Sequence, residues 1–338
     1  MLKKVLKHLR SVLKPQVILP VLLAAALLLF AFKLGNLGKV AARLHDLTLP
    51  VLVMAFGCAA CYLGCKAVQL RIMLKHAGVH IPARPFWLAF AVGELTVTLP
   101  LGLFSENWVL SASRRVHIGR SSAATVMMLL SEVAVVFLFL AIVGIPGWTQ
   151  VHYGAIAVLA GFVALVAALL MFEDKARALP DCLTLPWAKQ AAKGAVELID
   201  GLRRLTTPTL LGPGLALAAI YLGAMTTAFW LVGHGMQVYH LDYLDATQIY
   251  LFALAVILIG GGLVSQIGTI DILGMVVARS FGINYTDGLA MMLGFRIVWT
   301  GVVWIWCLPI AGLMWREMPD AKQGSSSDGG VEKAKAPG

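Results

Sequence analysis

The chain has 338 residues, of which 59% are hydrophobic and only 13% are charged. A soluble domain carries roughly 25% charged residues, so this composition excludes a protein whose whole surface faces water. The formal net charge is +10 at pH 7, but basic cytoplasmic loops explain such an excess without a nucleic-acid partner. Repeated apolar runs of about 20 residues instead predict an all-α polytopic membrane protein.

The first part of the chain predicts two membrane helices and one interrupted segment. Apolar runs at about Val17–Leu34 and Leu49–Leu70 predict spanning helices, with a polar loop between them. The first run is longer than the ~7–15 residues of a signal-peptide core, so we expect an uncleaved helix. The segment Pro85–Arg115 breaks at Pro100-Leu101-Gly102. Each limb is short for a ~30 Å hydrocarbon core, which predicts a broken or re-entrant hairpin.

The rest of the chain predicts four more spans and a second interrupted segment. Residues Glu173–Thr207 are charged and contain prolines, so we expect a loop with one interfacial helix. The segment Leu244–Ser280 is interrupted at Gly260-Gly261-Gly262 and predicts a second broken or re-entrant hairpin. The prediction is thus one membrane domain over 1–319, with about six spans, and a disordered cytoplasmic tail over 320–338. The four further spans are expected at about Ala123–Val143, Ala155–Phe172, Leu210–Val232 and Leu289–Trp315.

Basic residues predict the orientation of the chain. A cytoplasmic N-terminus places most of the 27 Lys and Arg residues on the cytoplasmic side, including a group from Lys66 to Arg84. The C-terminus is then cytoplasmic as well. The count is the same whether a hairpin is re-entrant or crosses twice, so charge does not separate these two arrangements. In this layout Arg296 lies within the membrane, and the basic residues outside are Lys33, Lys39, Arg43 and Arg279.

The two interrupted segments resemble each other. Gly102-Leu103-Phe104-Ser105 matches Gly262-Leu263-Val264-Ser265, and Met127-Met128-Leu129 matches Met291-Met292-Leu293. The predicted orientation brings the two copies into the membrane from opposite sides, which is the pattern of an inverted repeat. The repeat-like units would cover about 49–144 and 210–316. Chance similarity between apolar sequences is the alternative.

Two opposite charges occupy equivalent positions in these units. Glu132 and Arg296 each stand five residues after the first methionine of the matched pair. An unpaired charge in the middle of a bilayer costs a few kcal/mol or more. We therefore predict a buried ion pair between Glu132 and Arg296.

Polar residues in or beside the breaks are the candidates for a lipid site. We expect Arg296 to meet a lipid phosphate or another head-group anion, assisted by the N-termini of half-helices. The acidic residues would orient a cationic group or line a polar cavity, or else they only satisfy the broken backbone and one another. No catalytic set, cofactor motif or metal-ligand set is apparent, since Gly260-Gly261-Gly262 lacks the Gly-Lys-Ser/Thr of a phosphate-binding loop. The predicted substrate-binding residues are Arg296, Asp271, Glu106, Asn107, Glu94 and Glu132.

The second half of the chain also resembles a known family. It runs Gly260-Gly-Gly-Leu-Val-Ser-Gln-Ile-Gly-Thr-Ile-Asp271 and continues with Gly288-Leu-Ala-Met-Met-Leu-Gly-Phe-Arg296. This pattern is similar to the lysylphosphatidylglycerol synthase transmembrane region, where a glycine-rich turn precedes Gly-Val-x-Glu and a helix carrying an arginine. Here Gly268-Thr269-Ile270-Asp271 replaces Gly-Val-x-Glu, which keeps an acid but changes its reach. Resemblance to the family's other block rests on Leu70-Arg71, Thr98-Leu99-Pro100-x-Gly102, Glu106, Arg114-Arg115 and Ser131-Glu132.

The resemblance implies a multi-pass bacterial inner-membrane protein related to the flippase part of the multiple peptide resistance factor. Because the sequence ends at residue 338, we expect neither a soluble aminoacyl-transferase domain nor lipid aminoacylation. Stand-alone members are associated with lipid traffic, including a branch linked to hopanoids. We therefore expect a non-enzymatic lipid translocator whose partners are membrane lipids, either anionic phospholipids or isoprenoid-type lipids. A membrane-bound transferase acting on a lipid carrier, a non-catalytic partner in lipid synthesis, and a homo-oligomer all remain open.

Overall fold

The structure is a computed structural model that describes residues 33, 36–98, 102–114, 116, 118–171, 185–238, 241–260 and 266–315. Most of the described residues are helical, and none of these ranges contains a β-strand. Five helices within them are long and apolar enough to cross a membrane. The predicted class, an all-α polytopic membrane protein, is therefore confirmed. The predicted first span near residue 17 and the predicted tail from residue 320 lie outside the described residues.

The helices follow the predicted order, with longer spans than the apolar runs alone define. The spans extend beyond the apolar runs because helical backbone bonding continues through polar turns such as the one ending at His76. The α-helices are α1 (Leu37–His45), α2 (Leu49–His76), α3 (Ala83–Thr96), α4 (Ser105–Arg114), α5 (Ile118–Val143), α6 (Thr149–Met171), α7 (Pro186–Leu205), α8 (Pro208–Gly235), α9 (Tyr243–Ile259), α10 (Gln266–Ala278) and α11 (Tyr285–Trp315).

A short helix occupies the segment where a polar loop was expected, so that expectation was wrong. The side chain of Asn36 caps α1 by accepting a hydrogen bond from the backbone N–H of Lys39 at 3.2 Å. Val40 is buried on one face of this helix. One turn further along, the Nε of Arg43 lies 3.1 Å from the Oδ1 of Asp287, which attaches α1 to the start of α11. These tertiary contacts stabilise a nine-residue helix that is too short to be stable alone.

The first predicted break is present between α3 and α4. These helices have 14 and 10 residues, which corresponds to rises of about 21 and 15 Å, so neither crosses a bilayer alone. Ser105 donates a hydrogen bond to the carbonyl of Gly102 at 2.7 Å and contacts the hydroxyl of Thr96. The turn is tight, because a Cβ on Gly102 would lie 1.7 Å from the carbonyl oxygen of Thr96. Glycine is therefore required at this position.

The second predicted interrupted segment also consists of two short helices, α9 and α10, of 17 and 13 residues. Gly260 follows the last residue of α9 as its C-cap, and residues 261–265 lie outside the described residues. In α10, Gly268 has a φ of +82°, a backbone conformation that glycine adopts readily and other residues rarely adopt. This local departure from helix geometry directs its N–H toward the side chain of Asp271.

The helices α2 and α8 cross antiparallel and form the centre of the bundle. Near one end, Gln69 donates a hydrogen bond to the carbonyl of Gly214 at 2.9 Å. In the middle, the rings of Tyr62 and Tyr221 meet edge to face at 5.2 Å. Near the other end, a Cβ on Gly235 would lie 2.8 Å from a methyl group of Val51. Residue numbers rise along one helix as they fall along the other, which defines the antiparallel direction.

The interfacial helix predicted within Glu173–Thr207 corresponds to α7. It packs on α5 at a close crossing of two glycines, where a Cβ on Gly119 would lie 2.7 Å from the carbonyl oxygen of Gly194. Small residues at helix crossings allow such close backbone approach in membrane proteins. The exposed side of α7 carries Lys189, Lys193, Arg203 and Arg204.

Candidate functional site

A polar cavity lies where the two interrupted segments meet α2, α5, α8 and α11. Its volume is about 90 Å³, which is enough for a few waters or a small head group and far less than a whole lipid. Its apolar walls include Leu222, Met225 and Phe295. The polar residues that line it are Tyr62, Lys66, Thr98, Glu132, Tyr250, Asp271 and Arg296.

Arg296 and Asp271 form a two-point ion pair in this cavity. The Nη2 of Arg296 lies 2.8 Å from the Oδ2 of Asp271, and its Nε donates a hydrogen bond to the Oδ1 at 3.0 Å. The backbone N–H of Gly268 also donates a hydrogen bond to the Oδ2 at 3.0 Å. The Asp271 side chain is 1% exposed and the Arg296 side chain is 21% exposed. The carboxylate of Asp271 thus holds the guanidinium of Arg296 in one orientation, and Arg296 lines the cavity.

The prediction of an ion pair between Glu132 and Arg296 was wrong. Arg296 pairs with Asp271, while the Oε1 of Glu132 accepts a hydrogen bond from the hydroxyl of Tyr221 at 2.8 Å. The physical reason is the break in the second segment, because α10 packs against α11 and carries Asp271 beside Arg296 within the same unit. Glu132 and Arg296 match in sequence, but each interacts with another residue rather than with the other. Both Glu132 and Arg296 nevertheless line the same cavity.

Lys66 is the main site residue that the sequence prediction missed. Only 7% of this residue is exposed, although it was assigned to the cytoplasmic group of basic residues. Its Nζ lies 2.9 Å from the Oε1 of Glu94 and donates a hydrogen bond to the hydroxyl of Tyr62 at 2.7 Å. A signal was available, because Lys66 falls inside the predicted span Leu49–Leu70. Ionisable residues within a membrane helix usually face a partner or a polar cavity.

A smaller cavity of about 20 Å³ adjoins the first and contains the remaining acids. Lys66 and Glu132 line both cavities, and Glu94 and Glu106 line the smaller one. The hydroxyl of Thr125 donates a hydrogen bond to the Oε1 of Glu106 at 2.5 Å. Behind it, the Nδ2 of Asn107 donates a hydrogen bond to the oxygen of Thr125 at 2.9 Å.

Five of the six predicted site residues line the cavities. Arg296 and Asp271 line the larger cavity, Glu94 and Glu106 line the smaller one, and Glu132 lines both. Asn107 lines neither cavity and supports Glu106 through Thr125. Glu106 also depends on a glycine, because a Cβ on Gly93 would lie 3.1 Å from its Oε2.

A tyrosine pair on the central helices was also missed by sequence reasoning. Tyr62 and Tyr221 stand in matching stretches, Ala59-Ala60-Cys61-Tyr62-Leu63-Gly64 and Ala218-Ala219-Ile220-Tyr221-Leu222-Gly223. One hydroxyl accepts a hydrogen bond from Lys66, and the other donates to Glu132. The match was available as a sequence signal for a repeat that begins before the interrupted segments. In the structure the pair connects the charged groups of the site across the α2–α8 crossing.

The chain matches a known protein family over most of its length. The family model described as the lysylphosphatidylglycerol synthase TM region matches residues 17–307. The matched range includes both interrupted segments and every site residue described above. No match was found among curated proteins.

Proposed function

Because this chain belongs to the lysylphosphatidylglycerol synthase TM region family, we propose that it is a flippase-like translocator of lipid head groups in a bacterial inner membrane. It is a multi-pass membrane protein of a lipid-related family. The observation that carries the proposal is the polar cavity between the interrupted segments, with Arg296 at its border. A lipid head group would enter this cavity while its acyl chains stay in the surrounding bilayer.

The chemistry of the cavity favours an anionic head group. A guanidinium held by a carboxylate keeps a fixed orientation, and its planar donors match the oxygens of a phosphate. The cavity volume of about 90 Å³ suits a phosphate-sized group with some water. An anionic phospholipid and an isoprenoid phosphate both present this chemistry.

The arrangement of helices supports an inverted repeat, which would give the translocator two related halves. The first unit contains α2, α3, α4 and α5, with 28, 14, 10 and 26 residues. The second contains α8, α9, α10 and α11, with 28, 17, 13 and 31 residues. Each unit is thus a long helix, two short helices and another long helix.

The packing between the units is reciprocal, as expected for a two-fold relation. The first helices of the two units, α2 and α8, pack against each other antiparallel. The second helix of each unit packs against the last helix of the other, α3 on α11 and α9 on α5. A two-fold axis in the membrane plane would produce these contacts, and transporters built this way bind substrate where the repeats meet. The cavity lies at that junction.

The proposed cycle is a rocking of one unit against the other around this cavity. The distribution of basic residues supports cytoplasmic N- and C-termini. The first interrupted segment would then face the cytoplasm and the second the outside. In alternation, each would admit a head group from its own leaflet.

Leaflet exchange in reconstituted vesicles tests the proposal. Purified protein is placed in vesicles that contain a head-group-labelled anionic, zwitterionic or isoprenoid-phosphate lipid, and the label is bleached from outside. We expect exchange above that of protein-free vesicles for at least one phosphate-bearing lipid. No exchange with any of the three would overturn the translocator. Turnover of an aminoacyl or nucleotide-sugar donor would favour the alternative transferase.

A further inference from the structure

The two cavities contain more acids than cations. Four carboxylates line them, from Glu94, Glu106, Glu132 and Asp271, and the described cations are Lys66 and Arg296. Arg296 pairs with Asp271, and Lys66 with Glu94. The two carboxylates that exceed the cations, Glu106 and Glu132, accept hydrogen bonds from neutral hydroxyl groups. A buried negative charge without a counter-charge is costly, and binding a proton removes that cost.

We propose that Glu132 carries a proton that couples head-group movement to a pH gradient. Glu132 is the acid best placed for this role, because it borders both the head-group cavity and the smaller cavity with the other acids. Glu132 is also less buried than Glu94, Glu106 or Asp271. A proton from water in the head-group cavity adds to its carboxylate and leaves a neutral acid, and the reverse step returns the proton to water. No other reactant is needed.

The surroundings of Glu132 allow both forms. The hydroxyl of Tyr221 donates a hydrogen bond to its Oε1, which a carboxylate and a carboxylic acid can both accept. Lys66 and Glu94 act on it electrostatically with opposite signs. The other titratable or charged groups that face it across the cavities are Tyr62 on α2, Glu106 on α4, Tyr250 on α9, and Asp271 and Arg296 on α10 and α11.

The proton would also link the two charged groups of the site. Lys66 interacts electrostatically with Glu94, Glu106 and Glu132, so neutralising Glu132 removes one of the three carboxylate charges that act on Lys66. Neutralising it also removes a negative charge from the cavity that admits the anionic head group beside Arg296. Proton binding therefore favours anion entry, and anion release favours proton release. This reciprocal effect is what coupling requires.

The steady-state distribution of the transported lipid tests the inference, which rests on the proposed function. An uncoupled translocator equilibrates the two leaflets, whereas one proton per lipid allows an enrichment of up to about tenfold for each unit of pH difference. We expect the unmodified chain to enrich the lipid in one leaflet under a pH gradient. We expect Glu132→Gln to abolish the enrichment and Glu132→Asp, which still titrates, to retain part of it. Asp46→Asn is the matched control, since Asp46 is an exposed acid that lines neither cavity.

The outcomes separate the two proposals. Exchange without enrichment in the unmodified chain would overturn the proton coupling and leave the translocator intact. No exchange at all would overturn both. If Glu132→Gln moves no lipid, infrared absorption of the solubilised full chain decides the matter. A carboxylic-acid carbonyl band that titrates and is absent from Glu132→Gln supports the inference, and a spectrum without such a band overturns it.

Discussion

Lys66 and Glu94 form a buried ion pair. Removing either residue alone should therefore destabilise the protein. Removing one partner of such a pair typically costs about 3–5 kcal/mol, because the other charge stays buried, whereas replacing both with apolar residues is often neutral. We expect Lys66→Met and Glu94→Leu each to lower the thermal midpoint of the purified protein. We expect the double variant to recover it, because apolar side chains then replace both buried charges.

Size-exclusion chromatography after heating measures the midpoint, and leaflet exchange is measured on the same samples. We expect the double variant to be as stable as the unmodified chain but to exchange lipid more slowly. It keeps the packing but loses the ammonium group of Lys66, which acts on Glu132. A double variant as unstable as the single ones would contradict the assigned pair. Full exchange activity in a stable double variant would show that Lys66 has no role in lipid exchange.

At this scale the sequence predicted which residues line the cavities better than which residues pair with each other. Asp271 and Arg296 were recognisable because charge in an apolar segment is costly. Their pairing was not, because it depends on how α10 packs against α11. Lys66 was counted among the cytoplasmic basic residues because others follow it toward Arg84, and charge counting alone does not give the depth of a residue in the membrane.

The turn between α3 and α4 should depend on Gly102. A Cβ at this position would overlap the carbonyl oxygen of Thr96, a backbone atom that cannot move without opening the turn. We expect Gly102→Ala to lower the thermal midpoint and to reduce leaflet exchange, because the turn positions Glu106 at the start of α4. Gly57→Ala is the control, since a Cβ there meets nothing within 4 Å. Equal midpoints for the two variants would contradict the tight turn.

The antiparallel crossing of α2 and α8 should be detectable by cross-linking in membranes. Val51 and Gly235 lie close enough for a disulfide between introduced cysteines. In a background where native cysteines are serine, we expect Val51→Cys with Gly235→Cys to cross-link on mild oxidation. Val51→Cys with Gly223→Cys should not, because α8 places Gly223 more than three turns from Gly235. The reverse pattern would contradict the antiparallel direction. Protease cleavage between the two helices, followed by electrophoresis, reports the cross-link.

Apolar length and glycine position predicted most of the elements. Spans and breaks follow from them, so α2 to α6 and α8 to α11 were expected. The helix α1 was not, because its nine residues are too few for a membrane span and it is held by contacts such as Arg43 with Asp287. Local sequence does not contain such tertiary support.

For the whole molecule, the proposed relation between two units explains features that are separate in the sequence. The matching tyrosines meet at the central crossing, and the short helices of each unit reach the long helix of the other. The cavity between them contains residues from both units, which is why neither half of the sequence predicted the site alone. Short motif matches indicated a repeat, but only the packing brings Lys66, Glu132 and Arg296 to one place.

The exchange rate of a phosphate-bearing lipid in variants of Arg296 tests the central claim most directly. The comparison includes the unmodified chain, Arg296→Gln, Arg296→Lys and the control Arg279→Gln, whose arginine is exposed and contacts the ring of Tyr285. Each sample is first checked for a single folded peak by size exclusion.

A charge-assisted hydrogen bond contributes roughly 1.5–3 kcal/mol, so we predict that Arg296→Gln slows exchange about 10- to 160-fold. Arg296→Lys should fall between this variant and the unmodified chain, because it keeps the charge and loses the planar fork. Arg279→Gln should match the unmodified chain. Equal exchange rates in all four folded proteins would contradict head-group binding at Arg296.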